Sequence, residues 1–134
     1  MPQRKKLIIE PDDALDRVRD GMTIGIGGFI NSSHPMVMVR GLIKRGIKNL
    51  TVVGSASSGL EIDLLIAAGC AAKVVAPYVG AEALAPVGPA FRAAVEKGQV
   101  EVFELDEAMY YAALRAAAQR VPFNPWRAGV GTSF

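Results

Sequence analysis

The most informative segment of this chain is Asp20-Gly21-Met22-Thr23-Ile24-Gly25-Ile26-Gly27-Gly28-Phe29. An apolar run that ends in adjacent glycines is typical of a buried strand whose main chain then turns or is approached closely. We predict a strand over residues 22–26, followed by a helix that begins near Pro35 and is capped by Ser32 or Ser33. Backbone N–H groups and the positive end of the helix dipole would then face one anion-sized space.

The glycine run does not match a dinucleotide-binding fingerprint. The pattern GxGxxG requires glycine at the position of Ile30 and an acidic residue about 20 residues further on. The next predicted strand ends instead in Gly54-Ser55-Ala56-Ser57-Ser58, so NAD is disfavoured. Two interpretations stay open: Gly27 and Gly28 bring bare backbone to a phosphate or thioester oxygen, or they only allow a helix and a strand to pack closely.

Strand-like and helix-like segments alternate along the rest of the chain. We predict strands over residues 49–53, 73–76 and 100–103, and helices over residues 12–20, 60–68, 89–97 and 106 to about 120. Short apolar strands separated by helices favour one α/β domain over residues 1–134, doubly wound, with a mostly parallel sheet and helices on both faces. Because ligands bind beyond the carboxyl ends of such strands, we expect the loops at residues 27–28, 54–58, 78–82 and 104–107 to converge on one rim.

The composition argues against several classes of protein. Hydrophobic residues make up 51% of the chain and the net charge is only +2, with basic residues dispersed along the sequence, so we expect no nucleic-acid partner. We find neither an apolar run near the roughly 20 residues of a membrane span nor a signal peptide, and expect a cytoplasmic location. Cys70 is the one cysteine and His34 the one histidine, which leaves no metal site. His34 has no carboxylate at a useful spacing, and we expect it to line the site or to be solvated.

Several motifs, in order along the chain, resemble one known family. The run DGMTIGIGGF, with Pro35 shortly after it, looks like the signature of the A-type subunits of the class I coenzyme A transferases. The segments Tyr78-Val79-Gly80-Ala81-Glu82, Gly88-Pro89-Ala90-Phe91-Arg92, Pro122-Phe123 and Arg127-Ala128-Gly129-Val130-Gly131-Thr132 look like the glutaconate-type branch. The sequence departs from the family where the signature usually has glycine, at Ser33, and where many members have asparagine, at Ser55 and Ala56.

The resemblance implies transfer of coenzyme A between an acyl-CoA and a carboxylic acid, with coenzyme A as a substrate and no permanently bound cofactor. The nucleophilic glutamate would belong to a B subunit, so we expect an oligomeric complex and an inactive isolated chain. This chain would line the acyl and CoA site through Gly25, Gly27, Gly28, Phe29, Asn31, Ser55, Tyr78 and Gly80. Family subunits also run further than this sequence, and we therefore expect an N-terminal portion with an incomplete sheet.

Glu107 carries the main alternative. Relatives that open rings of steroid-derived CoA thioesters look similar over residues 104–127, and in that branch an acidic residue of the A-type subunit is the base that activates water. Glu107 is our candidate for that base, although an acid in the first turn of a helix also stabilises its dipole. A third alternative is a non-catalytic CoA-binding or assembly module. Transfer is favoured among the three, because the whole family shares the glycine signature.

Overall fold

The structure is a computed structural model and describes residues 10–127 and 129–133. In these residues five helices alternate with four strands, and the elements are α1 (Pro11–Leu15), β1 (Thr23–Gly25), α2 (Met36–Lys44), β2 (Leu50–Val53), α3 (Leu60–Ala67), β3 (Ala71–Val75), α4 (Pro89–Glu96), β4 (Glu101–Phe103) and α5 (Glu107–Gln119). None of the described helices is long and apolar enough to cross a membrane.

The four strands form one parallel sheet in the order β1-β2-β3-β4, which confirms the predicted α/β class. Register aligns the strands in three rows, and alternate rows face opposite sides. The middle row consists of Ile24, Val52, Val74 and Val102. The row on its amino side consists of Thr23, Thr51, Lys73 and Glu101, and the row on its carboxyl side consists of Gly25, Val53, Val75 and Phe103. The apolar middle row therefore lies on the face that becomes the core.

Helices α1 to α4 cover this face as one layer in which each helix contacts the next. Val52 and Val74 of the sheet and Ile62 and Leu65 of α3 are fully buried between the two layers. The strands follow one another across the sheet in chain order, and connections between parallel strands are almost always right-handed. The helices in successive connections therefore lie on the same side of the sheet. The core is therefore a sheet with one packed helical layer.

Helix α5 lies near the second face, at the carboxyl edge of the strands. The side chain of Asp106 caps it by accepting a hydrogen bond from the Met109 amide at 2.6 Å, as the sequence predicts. Tyr110 donates its hydroxyl to the carbonyl oxygen of Gly54. The rest of this face is only partly covered, since Phe103 is 53% exposed.

Two local expectations were wrong. The first helix ends at Leu15, so Gly21 lies in the turn before β1, where its amide donates to the carbonyl of Lys48 at 3.0 Å. Ser32 and Ser33 do not cap α2, whose N-cap is Pro35 without a side-chain hydrogen bond. Ser33 instead has φ +61°, a left-handed conformation that a glycine would adopt without strain.

Candidate functional site

The carboxyl ends of β1 and β2 and the first turns of α5 surround a cleft of about 420 Å³, which we call the glycine cleft. Its walls are residues 25–29, residues 53–57 and, from α5, Glu107, Tyr110, Tyr111 and Leu114. The cleft thus lies where the topology of a parallel sheet places ligand sites. None of its lining residues belongs to α2, so the predicted α2 N-terminus does not contribute to it.

Six of the predicted site residues line the glycine cleft, namely Gly25, Gly27, Gly28, Phe29, Ser55 and Glu107. Three do not. Tyr78 lines a separate depression beside Glu104, and Asn31 and Gly80 line another beside Gly59. The loop after β3 stays apart partly because its own contacts hold it, including the Glu82 amide, which donates to the hydroxyl oxygen of Tyr78 at 3.0 Å. The four predicted loops therefore do not all meet in one pocket.

Residues 27–30, which we call the glycine loop, follow β1 and carry backbone donors beside this cleft. The amides of Gly27 and Gly28 have no hydrogen-bond partner within residues 10–127 and 129–133, whereas the Phe29 amide donates to the Ser32 carbonyl at 2.9 Å. Exposed N–H groups of this kind are bound by water or by a ligand. The donors that can meet a carbonyl oxygen here are therefore Gly27 and Gly28, and the predicted contribution of Phe29 is limited to lining.

The opposite wall is the loop after β2, and Ser58 fixes its shape. The hydroxyl of Ser58 is buried, accepts from the Ser55 amide at 2.9 Å and donates to the Ser55 carbonyl at 3.2 Å. Gly54 lies against this serine, since a Cβ at Gly54 would come within 2.2 Å of its hydroxyl oxygen. The Ser55 amide is thus already bonded, and the Ser55 hydroxyl oxygen also lies 3.4 Å from that of Ser58, so Ser55 lines the cleft without a free amide.

Tyr110 joins this wall to α5. Burial raises the pKa of its phenol above the ordinary value, and the neighbouring Tyr111 adds to the rise. The phenol therefore stays protonated and keeps donating to Gly54. Since Tyr110 is one turn beyond Glu107, the same bond holds Glu107 at the rim of the cleft.

His34 is the residue that the sequence interpretation assigned wrongly. Its side chain is 3% exposed and its Nε2 lies 3.3 Å from a carboxylate oxygen of Glu61, which is fully buried. Its ring nitrogens also lie 3.1 Å from the carbonyl oxygens of Gly27 and Ile30. The carboxylate partner comes from the first turn of α3, far along the chain, and no spacing rule connects the two positions.

Metal ligation finds no support in the part of the chain that the structure describes. No group of three histidine, cysteine, aspartate or glutamate side chains there is placed to hold an ion.

Cys70 is buried, and this burial raises the pKa of its thiol although Lys48 opposes the rise.

Comparison with known proteins assigns this sequence and its fold to one family. The family model described as coenzyme A transferase matches residues 8–133. A relative from Rhodococcus jostii, the cholesterol ring-cleaving hydrolase IpdA subunit, is 39% identical over 132 residues, which cover 98% of this chain and 44% of the relative. The chain thus spans less than half of that relative's length.

Two solved structures agree with this assignment. Glutaconate coenzyme A-transferase from Acidaminococcus fermentans superposes with a TM-score of 0.83 at 28% identity, over 91% of this chain and 38% of that one. A variant of the decarboxylase AibA/AibB also gives a TM-score of 0.83, at 25% identity, over 93% of this chain and 48% of that one. With a family match over nearly its whole length and the same fold in these relatives, this chain belongs to the coenzyme A transferase family.

Proposed function

We propose that the glycine cleft binds the thioester carbonyl of an acyl-CoA, with the amides of Gly27 and Gly28 as oxyanion donors. The observation that carries this proposal is the pair of unbonded amides at the carboxyl end of β1, in a cleft that an acidic side chain also lines. Donors aimed at an oxygen where negative charge develops stabilise a transition state, and one such donor is worth about 3 kcal/mol. Coenzyme A would be a substrate and would leave after each turnover.

We propose hydrolysis, with Glu107 as the base that activates water, as the reaction. The sequence alone favours transfer, but two observations support hydrolysis more. Glu107 lines the same cleft as the free amides, and the Rhodococcus relative at 39% identity is named a ring-cleaving hydrolase subunit. Water deprotonated by Glu107 would add to a ring carbonyl that is β to the thioester, and the bond from that carbonyl carbon to the α-carbon of the thioester would break. Its electron pair would move onto the thioester oxygen held by the glycine amides, and the α-carbon of this enolate would then take the proton back from Glu107, which leaves a carboxylic acid at the opened end of the ring.

Transfer is the second candidate, and the likeness to glutaconate coenzyme A-transferase supports it. In that reaction a glutamate of a B-type partner attacks the thioester and displaces the CoA thiolate, which gives an acyl anhydride. The thiolate then attacks the glutamyl carbonyl, the carboxylic acid leaves, and a glutamyl-CoA thioester remains on the partner. Glu107 would then have no covalent role. Both candidates place the chain in a complex with a B-type partner, and both make the isolated chain inactive.

One experiment separates the two reactions. The full chain and its B-type partner are assayed with a cyclic CoA thioester, and separately with a simple acyl-CoA plus acetate, for wild type, Glu107→Gln and Glu104→Gln. Glu104 is a matched control because it is exposed, belongs to the same strand-to-helix junction and lies outside the glycine cleft. Loss of a general base typically lowers the rate by about 100-fold to 10,000-fold, so Glu107→Gln should lose ring opening while Glu104→Gln retains it.

The opposite result favours transfer. A complex that moves CoA to acetate, forms a thioester on the partner that borohydride reduces, and keeps its rate in Glu107→Gln would contradict the hydrolase proposal. Inactivity of the wild-type complex towards every acyl-CoA would contradict both enzymatic candidates and favour a binding or assembly module.

A further inference from the structure

A buried pair of ionisable side chains lies directly beneath the glycine loop, and neither member lines the glycine cleft. The pair is His34, at the end of the loop, and Glu61, in the first turn of α3. Their side chains are 3% and 0% exposed, and Nε2 of His34 lies 3.3 Å from the carboxylate. Burial of two such groups is costly unless each is fully partnered, so the pair requires an explanation.

Every partner of the imidazole is an acceptor. Nδ1 lies 3.1 Å from the carbonyl oxygen of Gly27, and Nε2 lies 3.1 Å from that of Ile30 and near the Glu61 carboxylate. A neutral imidazole has one N–H group, whereas an imidazolium has two. Only the imidazolium carries an N–H group at both nitrogens, so that each can donate to the acceptors around it, and Glu61 is its counter-ion. In this form His34 bonds the glycine loop at both ends.

The bond to Gly27 fixes the direction of the neighbouring amide. The peptide between Gly27 and Gly28 is trans and planar, so its C=O and N–H groups point in opposite directions. With the carbonyl bonded to His34 on the buried side, the Gly28 N–H points away from the imidazole. Gly28 lines the cleft and His34 does not, so this orientation directs the donor towards the cleft.

Glu61 is itself rigidly held. Both of its carboxylate oxygens accept from the Gly59 amide at 3.1 Å. Gly59 in turn packs against the loop so closely that a Cβ there would lie 2.3 Å from the carbonyl oxygen of Ile30. The carboxylate therefore has one position relative to the loop, and it transmits that position through His34.

We propose that His34 and Glu61 form a positioning pair that orients the Gly28 amide as an oxyanion donor. The inference rests on the proposed function, since it takes the thioester oxygen as the group that this amide meets. When glutamine replaces Glu61, the imidazolium loses its counter-ion, the neutral ring donates to only one carbonyl, and one end of the loop is released. Neither residue touches the acyl-CoA.

The test compares Glu61→Gln with wild type and with Glu101→Gln. Glu101 is a suitable control because its replacement removes the same charge from an exposed ion pair with Lys73, at the amino end of β4. The full chain is labelled with nitrogen-15 at histidine, and ring N–H groups are counted by NMR. His34 is the one histidine of these 134 residues, and loss of signals in His34→Gln assigns them. The complex with its B-type partner supplies kcat and KM.

We expect two ring N–H groups in wild type and in Glu101→Gln, and one in Glu61→Gln. Misplacement of a reacting group by about 1 Å costs about 100-fold in rate, so kcat of Glu61→Gln should fall by that order while KM changes little. A residue with only a structural role would not produce this division between kcat and KM. If Glu61→Gln fails to fold, His34→Gln gives the same kinetic comparison, because the single amide nitrogen of glutamine cannot occupy the positions of both ring nitrogens.

Two results would overturn the proposal: a single ring N–H in wild type, or an unchanged kcat in a folded Glu61→Gln protein. A wild-type complex that processes no acyl-CoA would contradict the proposed function instead. In that case the ring N–H count, together with the NMR shift of the Gly28 amide in Glu61→Gln, still decides whether the pair orients the loop.

Discussion

The two adjacent glycines of the loop should respond very differently to the same substitution. Gly28 has φ +138°, and a Cβ there would lie 2.1 Å from Nδ1 of His34. At Gly27 a Cβ would find no atom within 4 Å. We therefore expect Gly28→Ala to disturb the buried pair and the fold, and Gly27→Ala to leave both intact.

The expected loss of stability in Gly28→Ala is the sum of two free-energy costs. A side chain in a backbone region that is nearly restricted to glycine costs about 1–3 kcal/mol. Displacing the imidazole removes a hydrogen bond to a charged group, which is worth about 1.5–3 kcal/mol. Gly28→Ala should therefore lower the free energy of unfolding by roughly 3–5 kcal/mol, while an exposed substitution such as Gly27→Ala stays within about 0.5 kcal/mol.

Urea denaturation of the full-length variants, followed by circular dichroism, measures this difference directly. The same proteins, assayed with the B-type partner, then separate stability from catalysis. Gly27→Val should retain the fold and lower turnover, because Gly27 lines the glycine cleft and a Cβ there meets no other atom within 4 Å, so the added side chain would occupy open space at the cleft. Equal denaturation midpoints for Gly28→Ala and Gly27→Ala would refute the placement of His34 beneath the loop.

Three further predictions concern the buried hydroxyl and thiol. Tyr110→Phe removes the bond to Gly54 and should lower the free energy of unfolding by about 1 kcal/mol, measured by urea denaturation; an unchanged midpoint would contradict that bond. Burial raises the pKa of the Cys70 thiol, so a thiol reagent should modify Cys70 slowly in the native protein and rapidly in urea. Because the folded pKa values of Cys70 and Tyr110 are both raised, the unfolded chain loses these protons first, and stability should decline as the pH rises above the ordinary thiol pKa.

The order of elements could be predicted from the sequence because it depends on local signals. Strands such as Leu50–Val53 are short apolar runs, and Gly69 and Gly98 follow their helices with φ near +65°, as helix stops do. The errors lie at the ends of elements. Strand β3 begins at Ala71, two residues earlier than predicted, because pairing with β2 extends it beyond the β-branched residues.

The sequence predicts only those site residues whose backbone position follows from the topology of the sheet. Gly27, Gly28, Ser55 and Glu107 meet because each follows the carboxyl end of a strand. The contact between His34 and Glu61 depends on how α3 packs beneath the loop, which no local pattern encodes. For the same reason, the structure directs a side chain at Gly28 towards His34, a contact that the sequence does not predict.

The oxyanion donors that we propose would explain how relatives of one fold carry different chemistries. Attack on a thioester, cleavage of a bond beside it and loss of a neighbouring carboxylate all place negative charge on the thioester oxygen. Backbone amides can stabilise each of these charges, because a correctly placed N–H group donates to the oxygen whatever side chain the residue carries. The fold therefore leaves the reaction open, and the side chain facing the amides decides it. The acidic side chain that lines the same cleft as the proposed donors is Glu107, so its replacement is more informative about the reaction than any change in the glycine loop.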